Sequence, residues 1–178
     1  MFTIEKYKCI LYTENPFNKN QKQEVSHMDP IDYKILEILK KNAREKASNI
    51  SKEIHLSVSS VIERIHHMEK EGIIQGYTTL IDENSLGNDL TALIEVRLEH
   101  PQYTEDFVDF VNQIPYVVSC YYLTGNFDYL IKISCRCSKH LEQLHQIIKN
   151  HPGVDNTCTH FVLKTTKNIY HVLPKDSA

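Results

Sequence analysis

The chain has 178 residues, 41% of them hydrophobic and 24% charged, with a formal net charge of −3. This is the balance of an ordinary globular protein with room for one domain or two small ones, and it excludes a fibrous repeat and a disordered polyelectrolyte. No apolar run approaches the roughly 20 residues that cross a bilayer, and Met1-Phe2-Thr3-Ile4-Glu5-Lys6 has no basic stretch leading into a long apolar core, so a cytoplasmic location is expected. Five cysteines, an odd number, do not form the dense paired framework of a small secreted domain and are read as reduced thiols. The acidic balance means that any affinity for nucleic acid has to come from local placement of charge rather than from a basic surface.

Residues 1–27 are read as an extension, poorly ordered: Asn15 to Gln23 is polar and aperiodic, while Cys9-Ile10-Leu11-Tyr12 has the composition of a short strand. Organised sequence begins at Met28, an alternative start. Asp29-Pro30 opens a first helix, with Asp29 as cap, Pro30 at the first helical position and Asp32 in the first turn. Ile31, Ile35, Leu36, Ile38 and Leu39 give it one apolar face as far as about Ala43. A second helix is expected over Ala47 to Ile54, with Ile50 and Ile54 facing inward. His55-Leu56-Ser57 supplies a tight turn, and Ser57 caps a third helix whose inward stripe is Val58, Val61, Ile65 and Met68; Gly72 ends it. Three short helices, the last two joined by a tight turn, make a helix-turn-helix of winged type over 28–76.

The pattern then changes. Tyr77 to Ile81 reads as a strand and Asp82 to Asn88 as a polar linker, so 77–90 joins two domains. Ala92, Ile94, Val96 and Leu98 alternate with Thr91, Leu93, Glu95 and Arg97, a strand with one apolar face. A helix follows, with Phe107, Phe110, Val111 and Ile114 on one side and Pro115 closing it. Tyr116 to Leu123 and Tyr129 to Cys137 read as paired strands joined by the hairpin Thr124 to Asp128. Ser138 begins a helix carrying Leu141, Leu144, Ile147 and Ile148, and Val154 to Thr166 is the last strand. The order β-α-β-β-α-β over 91–173 predicts a ferredoxin-like α+β domain, with a short tail at 174–178.

Several segments together resemble the leucine-responsive/asparagine-regulator (Lrp/AsnC) family of transcription factors. They are Asp29 and Asp32 ahead of Ile35-Leu36; Glu63-Arg64-Ile65, Met68-Glu69 and Gly72 to Tyr77; Gly125-Asn126-Phe127-Asp128-Tyr129; and Pro152-Gly153-Val154. Their order and spacing carry the likeness, which runs from about Asp29 to near the C-terminus. The resemblance implies a DNA-reading helix-turn-helix, a ferredoxin-like domain whose sheets pack face to face into homodimers, further assembly such as octamers, and small effectors, typically amino acids. Two departures stand out: His55 replaces the usual glycine before Leu56, and His66 and His67 stand where relatives often carry arginine or lysine. The first strains a turn that histidine tolerates better than a β-branched residue. The second leaves the helix with less fixed positive charge.

On that reading the third helix lies in the major groove of double-stranded DNA, with Ser57, Ser59, Ser60, Arg64 and His67 as contacts. The effector site is expected at the hairpin, from Tyr122, Leu123, Thr124, Gly125, Asn126 and Asp128, with His160 from the last strand. Gly125 exposes backbone N–H groups for a carboxylate, and Asp128 faces an ammonium. A tight turn with a capping aspartate accounts for the same residues, and the resemblance favours the ligand role. Cys135 and Cys137 share one strand face and Cys158 and His160 another, which together offer sulfur and nitrogen donors. Because those two strands are not neighbours in the usual ferredoxin-like order, and buried cysteine is common core filling, no metal site and no cofactor are expected.

Two other functions fit the same two-domain plan. Sirohaem decarboxylases resemble it, but they carry an arginine-rich segment where this chain has Gly76-Tyr77. A nonspecific architectural or partner-binding module would suit the acidic balance. A regulator, not an enzyme, is the reading adopted.

Overall fold

The computed structural model describes residues 28–170, 172 and 173. The expected extension over 1–27, its short strand at Cys9–Tyr12 and the tail at 174–178 lie outside the described residues. The chain divides into two compact units between Thr78 and Thr79.

The first unit is three helices, α1 (Pro30–Lys41), α2 (Ala47–Ile54) and α3 (Val58–Lys70). Asp29 Oδ1 accepts from the N–H groups of Ile31 at 2.8 Å and Asp32 at 2.9 Å, while Asp32 Oδ2 accepts from Asp29 N–H at 3.1 Å, a reciprocal capping box at the start of α1. Ile35, Leu39, Ile50, Val61 and Met68 form the buried centre, with Ile31, Ile54, Leu56, Ile65 and Ile73 packed around it. The α2–α3 turn works as the sequence suggested. His55 is left-handed, at φ 58° and ψ 43°, and ends α2, with the Leu56 N–H donating to Ser51 O at 3.0 Å. Val58, expected inward, is instead 42% exposed, because it sits in the first turn of α3 before the core closes around Val61.

Residues 77–82 form no strand within this chain, contrary to expectation. Leu80 and Ile81 are exposed, and β-propensity without an adjacent edge to pair with does not make a strand. Tyr77 is nonetheless anchored: its hydroxyl donates to Glu69 Oε1 at 2.8 Å, and burial together with that carboxylate pushes the phenol up to about 12.

The second unit runs β1 (Leu90–Leu98), α4 (Thr104–Asn112), β2 (Val117–Tyr122), β3 (Tyr129–Cys135), α5 (Ser138–Lys149) and β4 (Val154–Phe161). Its antiparallel sheet has the order β2-β3-β1-β4, the ferredoxin-like arrangement, with β1 and β3 at the centre. Ala92, Ile94, Val96, Ile131 and Ile133 point from the two central strands into a core closed by Phe107 and Val111 of α4 and Leu141, Leu144 and Ile148 of α5. Among the described residues, α4 and α5 both lie on that face; on the opposite face the linker before β1 reaches one corner, where Ser134 Oγ donates to Glu83 Oε2 at 3.0 Å. Two strands are shorter than the sequence suggested. β4 stops at Phe161 rather than Thr166: Phe161 pairs with Ala92, one further bond runs from Val162 N–H to Thr91 O at 3.0 Å, and β1 then begins. β3 ends at Cys135, so Cys137 is not on the strand but caps α5.

Gly153, just ahead of β4, has φ +84°, and a Cβ there would lie 2.1 Å from Tyr103 Cγ. The Tyr103 side chain, at the entry to α4, packs against this backbone. No helix among the described residues is long and apolar enough to cross a membrane.

Candidate nucleic-acid interface and ligand cleft

The start of α3 gathers three hydroxyls. Ser57 Oγ accepts from Ser60 N–H at 3.1 Å and lies 2.9 Å from Ser59 Oγ and 2.8 Å from Ser60 Oγ. These groups sit at the positive end of a helix of 13 residues, where backbone N–H groups lack intrahelical partners. Downstream, Ile62, Glu63, His66, His67 and Lys70 are exposed on the side of α3 away from Val61 and Met68. Ile62 and Lys70 belong to this outward face, with His66 between them, although the sequence did not single them out as contacts. Helical spacing alone would have found them, since they fall four residues apart from Ile62 through His66 to Lys70.

Arg64 is placed differently from expectation. Its Nη1 donates to Asp29 Oδ2 at 2.7 Å and to Asp32 Oδ1 at 2.8 Å, so the guanidinium ties α3 to the capping box of α1. The physical reason is its angular position, on the flank of α3 beside Val61, where two carboxylates already aim at the N-terminus of α1. Burial alone would raise the Asp29 carboxyl, but hydrogen bonds from Asp32 N–H, Arg64 and Ile31 N–H outweigh it and hold the group below its ordinary value. The same two carboxylates hold the Arg64 guanidinium above its own.

In the second unit the β2–β3 hairpin is knitted to the end of β1 by Asp128. Its N–H donates to Val96 O at 2.9 Å, its carbonyl accepts from Leu123 N–H at 2.7 Å, and its Oδ2 accepts from Leu98 N–H at 2.7 Å. The Asp128 side chain therefore ties the hairpin to the end of β1. It also lines an open depression with Leu98, Glu99, His100, Pro101, Thr104 and Tyr122. Tyr122 is 72% exposed, its ring 5.3 Å from that of Tyr129. Thr124, Gly125 and Asn126 form the exposed tip, where Gly125 adopts φ +129° with open space around its Cα, while Leu123 is half-buried. Glu99, His100 and Thr104 were missed by sequence reasoning. Glu99 and His100 come from the connection after β1 and Thr104 from the start of α4, and only the pairing of β1 beside β3 brings them to the hairpin.

His160 is not brought to that cleft. It lies opposite Leu93 in the β1–β4 register, five positions along β1 from Leu98, and Nε2 instead approaches Glu95 Oε2 at 3.1 Å. At about 3.3 Å per residue the two places are well over one side-chain length apart. Buried thiols are kept protonated: desolvation raises Cys135 and pushes Cys120 up to about 11.

Comparison with known proteins separates the same two units. Residues 28–75 match the winged helix-turn-helix DNA-binding model, and residues 91–172 match the Lrp/AsnC ligand binding domain. An HTH-type transcriptional regulator of Pyrococcus horikoshii is 34% identical over 140 residues, covering 79% of this chain and 92% of the relative. The leucine-responsive regulatory protein of Escherichia coli is 31% identical over 151 residues, covering 83% and 92%. Among solved structures, a transcriptional regulator of Neisseria meningitidis in complex with L-Met superposes with a TM-score of 0.79 at 31% identity, covering 84% of this chain and 97% of that one. AsnC of Escherichia coli gives 0.75 at 26% identity, covering 82% and 97%. These relatives are regulators, and the decarboxylase reading finds no support among them. Both domain models match in the family's order, and the Pyrococcus relative is aligned over nearly its whole length: the chain belongs to the Lrp/AsnC family of transcriptional regulators.

Proposed function

We propose that this regulator reads DNA through the outward face of α3 and that an amino acid bound at the hairpin cleft alters its assembly or its affinity for DNA. The observation that carries the effector reading is the Asp128 carboxylate. One oxygen is committed to Leu98 N–H, yet the residue still lines an open depression beside a glycine turn. A zwitterion needs an anion near its ammonium and donors near its carboxylate; in this reading Asp128, which lines the depression, meets the ammonium, and backbone N–H groups of the adjoining turn at Gly125, outside that lining, meet the carboxylate. The Neisseria relative, which superposes over most of the chain, is a complex with L-Met.

For DNA, the Ser57–Ser59–Ser60 hydroxyls suit phosphate or base-edge contacts at a helix N-terminus, while Ile62 offers apolar contact to a thymine methyl. Ser57, Ser59, Ser60 and His67 remain DNA contacts in this reading; Arg64 becomes the residue that orients α3. The helix-free face of the sheet, where Leu93, Leu130 and Tyr121 stand on one side of β1, β3 and β2, is read as the homodimer surface, from which higher assembly follows.

The test is a thermal-shift screen of the twenty amino acids with the full chain and with Asp128→Asn. A ligand that binds the folded state raises apparent stability by mass action. One or a few amino acids are expected to raise the wild-type melting point and to leave the variant unmoved. A shift retained in full by the variant would leave Asp128 only its structural role of tying the hairpin to β1. Selection of genomic fragments by the purified protein tests the DNA half: recovery of random fragments would favour an architectural role over operator reading.

A further inference from the structure

We propose that Glu95, Cys158 and His160 form a transition-metal site on the helix-free face of the sheet, selective for the zinc class of divalent ions. The strand register builds it. Glu95 of β1 lies directly opposite Cys158 of β4, and His160 lies two residues further along β4 on the same face, diagonal to Glu95. Directly opposed and diagonal partners on one face of an antiparallel pair are the positions whose side chains can meet. Cysteine and glutamate opposite each other, with histidine on the diagonal, make a triangle fixed by two paired strands rather than by loops.

The distances suit an ion. His160 Nε2 lies 3.1 Å from Glu95 Oε2 and 3.5 Å from Cys158 Sγ, and the three donor atoms all lie within 4.8 Å of one another. A tetrahedral zinc with bonds of about 2.0 Å to oxygen, 2.05 Å to nitrogen and 2.3 Å to sulfur separates its nitrogen and oxygen ligands by about 3.3 Å and its nitrogen and sulfur ligands by about 3.6 Å. Two edges of the ligand triangle thus have nearly the required length before any metal arrives. The donor set decides the class: one thiolate, one imidazole and one carboxylate favour zinc or cobalt(II) over magnesium or calcium, which take oxygen ligands. On binding, the Cys158 sulfur forms a bond to the ion and its proton leaves to solvent; the proton that His160 Nε2 donates to Glu95 moves to Nδ1, or to solvent if both ring nitrogens carry one, so that the hydrogen bond is replaced by two metal bonds; and the fourth position is open to water.

The sequence reading considered Cys158 and His160 only with Cys135 and Cys137. The topology separates those two pairs with β1, and β1 itself supplies the third ligand. In the absence of metal the same side chains form an ordinary cross-strand hydrogen bond, so the experiment has to detect the ion's own signature.

The reduced, metal-free full chain is titrated with cobalt(II) and then with zinc. The expected result is a thiolate-to-cobalt charge-transfer band with visible bands of tetrahedral intensity, saturating at about one ion per chain and bleached by zinc. Cys158→Ser should lose the charge-transfer band, and Glu95→Gln and His160→Gln should each weaken binding at least about tenfold, while Cys137→Ser, which alters an exposed thiol outside the site, should leave the titration unchanged. Circular dichroism of each metal-free variant confirms folding, and the exposed His160 gives a variant that keeps the core intact. No saturable band in the wild type, or a band that survives both Cys158→Ser and His160→Gln, overturns the site. So does a band lost in Cys137→Ser or Cys9→Ser instead.

Discussion

Arg64 shows how one residue can be located by sequence while the structure gives it partners that the sequence did not announce. Its position on α3 follows from helical spacing, but spacing does not say that the capping carboxylates of another helix wait beside it. Only the packing of α1 on α3 brings Asp29 and Asp32 to Nη1. With the Arg64 and Asp29 side chains 31% and 42% exposed, solvent screening weakens the pair, and Arg64→Ala should cost about 1–2 kcal/mol in urea unfolding. The salt slope of DNA binding should stay unchanged, whereas a fall of about one would restore Arg64 as a phosphate contact. The tie also sets a pH window. The Asp29 carboxyl is held below its ordinary 3.8, so its stabilising contribution is fully present above the unfolded value and is lost as pH falls through the folded one. The urea midpoint of the wild type should therefore drop below about pH 4, and that of Asp29→Asn should drop less; equal slopes in the two proteins would refute the linkage.

The helices were the most legible elements, because each carries both a period and an explicit signal at its start or end. α2 lies where Ala47 to Ile54 put it, and α3 begins after Ser57 and stops before Gly72. Strands were legible in number and order but not in length. β4 and the expected strand at Tyr77 to Ile81 failed for one reason: a strand extends only as far as its neighbour, and the neighbour is not written in the local sequence. The hairpin half of the cleft was readable for the converse reason, being contiguous in the chain, while Glu99, His100 and Thr104, like Glu95 beside Cys158, are partners by register alone. Gly153 gives this scale its own test. Alanine there meets both a left-handed backbone and the Tyr103 ring, whereas at Gly87, with φ +77° and nothing within 4 Å, only the backbone objects. Gly153→Ala should cost about 1–3 kcal/mol more than Gly87→Ala in thermal unfolding, and equal costs would show that the Tyr103 contact yields freely.

At the scale of the molecule, the sheet has one face filled by α4 and α5 and one that, among the described residues, carries no α-helix and is reached only at a corner by the linker at Glu83. On the bare face, Tyr121 lies opposite Leu130, which lies opposite Glu95 across β1. Tyr121 is 56% exposed and Val118, on the same edge strand, 55%, so large apolar side chains of β2 are left open to water. If two copies pair through this face, each dimer carries two helix-turn-helix units, and the second contact with a two-fold operator becomes intramolecular. The acidic balance of the chain makes this linkage matter more, because a single α3 flanked by Glu63 and Glu69 has little electrostatic affinity of its own. Tyr121→Glu places a charge in the middle of the proposed interface without touching the core, since the side chain points away from Ile94 and Ile131. It should leave thermal unfolding of the monomeric unit nearly unchanged, shift sedimentation from dimer or higher species to monomer, and weaken operator binding at least about tenfold through lost avidity. A variant that remains dimeric would move the interface elsewhere. A monomeric variant that binds the operator as tightly as the wild type would instead show that each unit reads DNA alone.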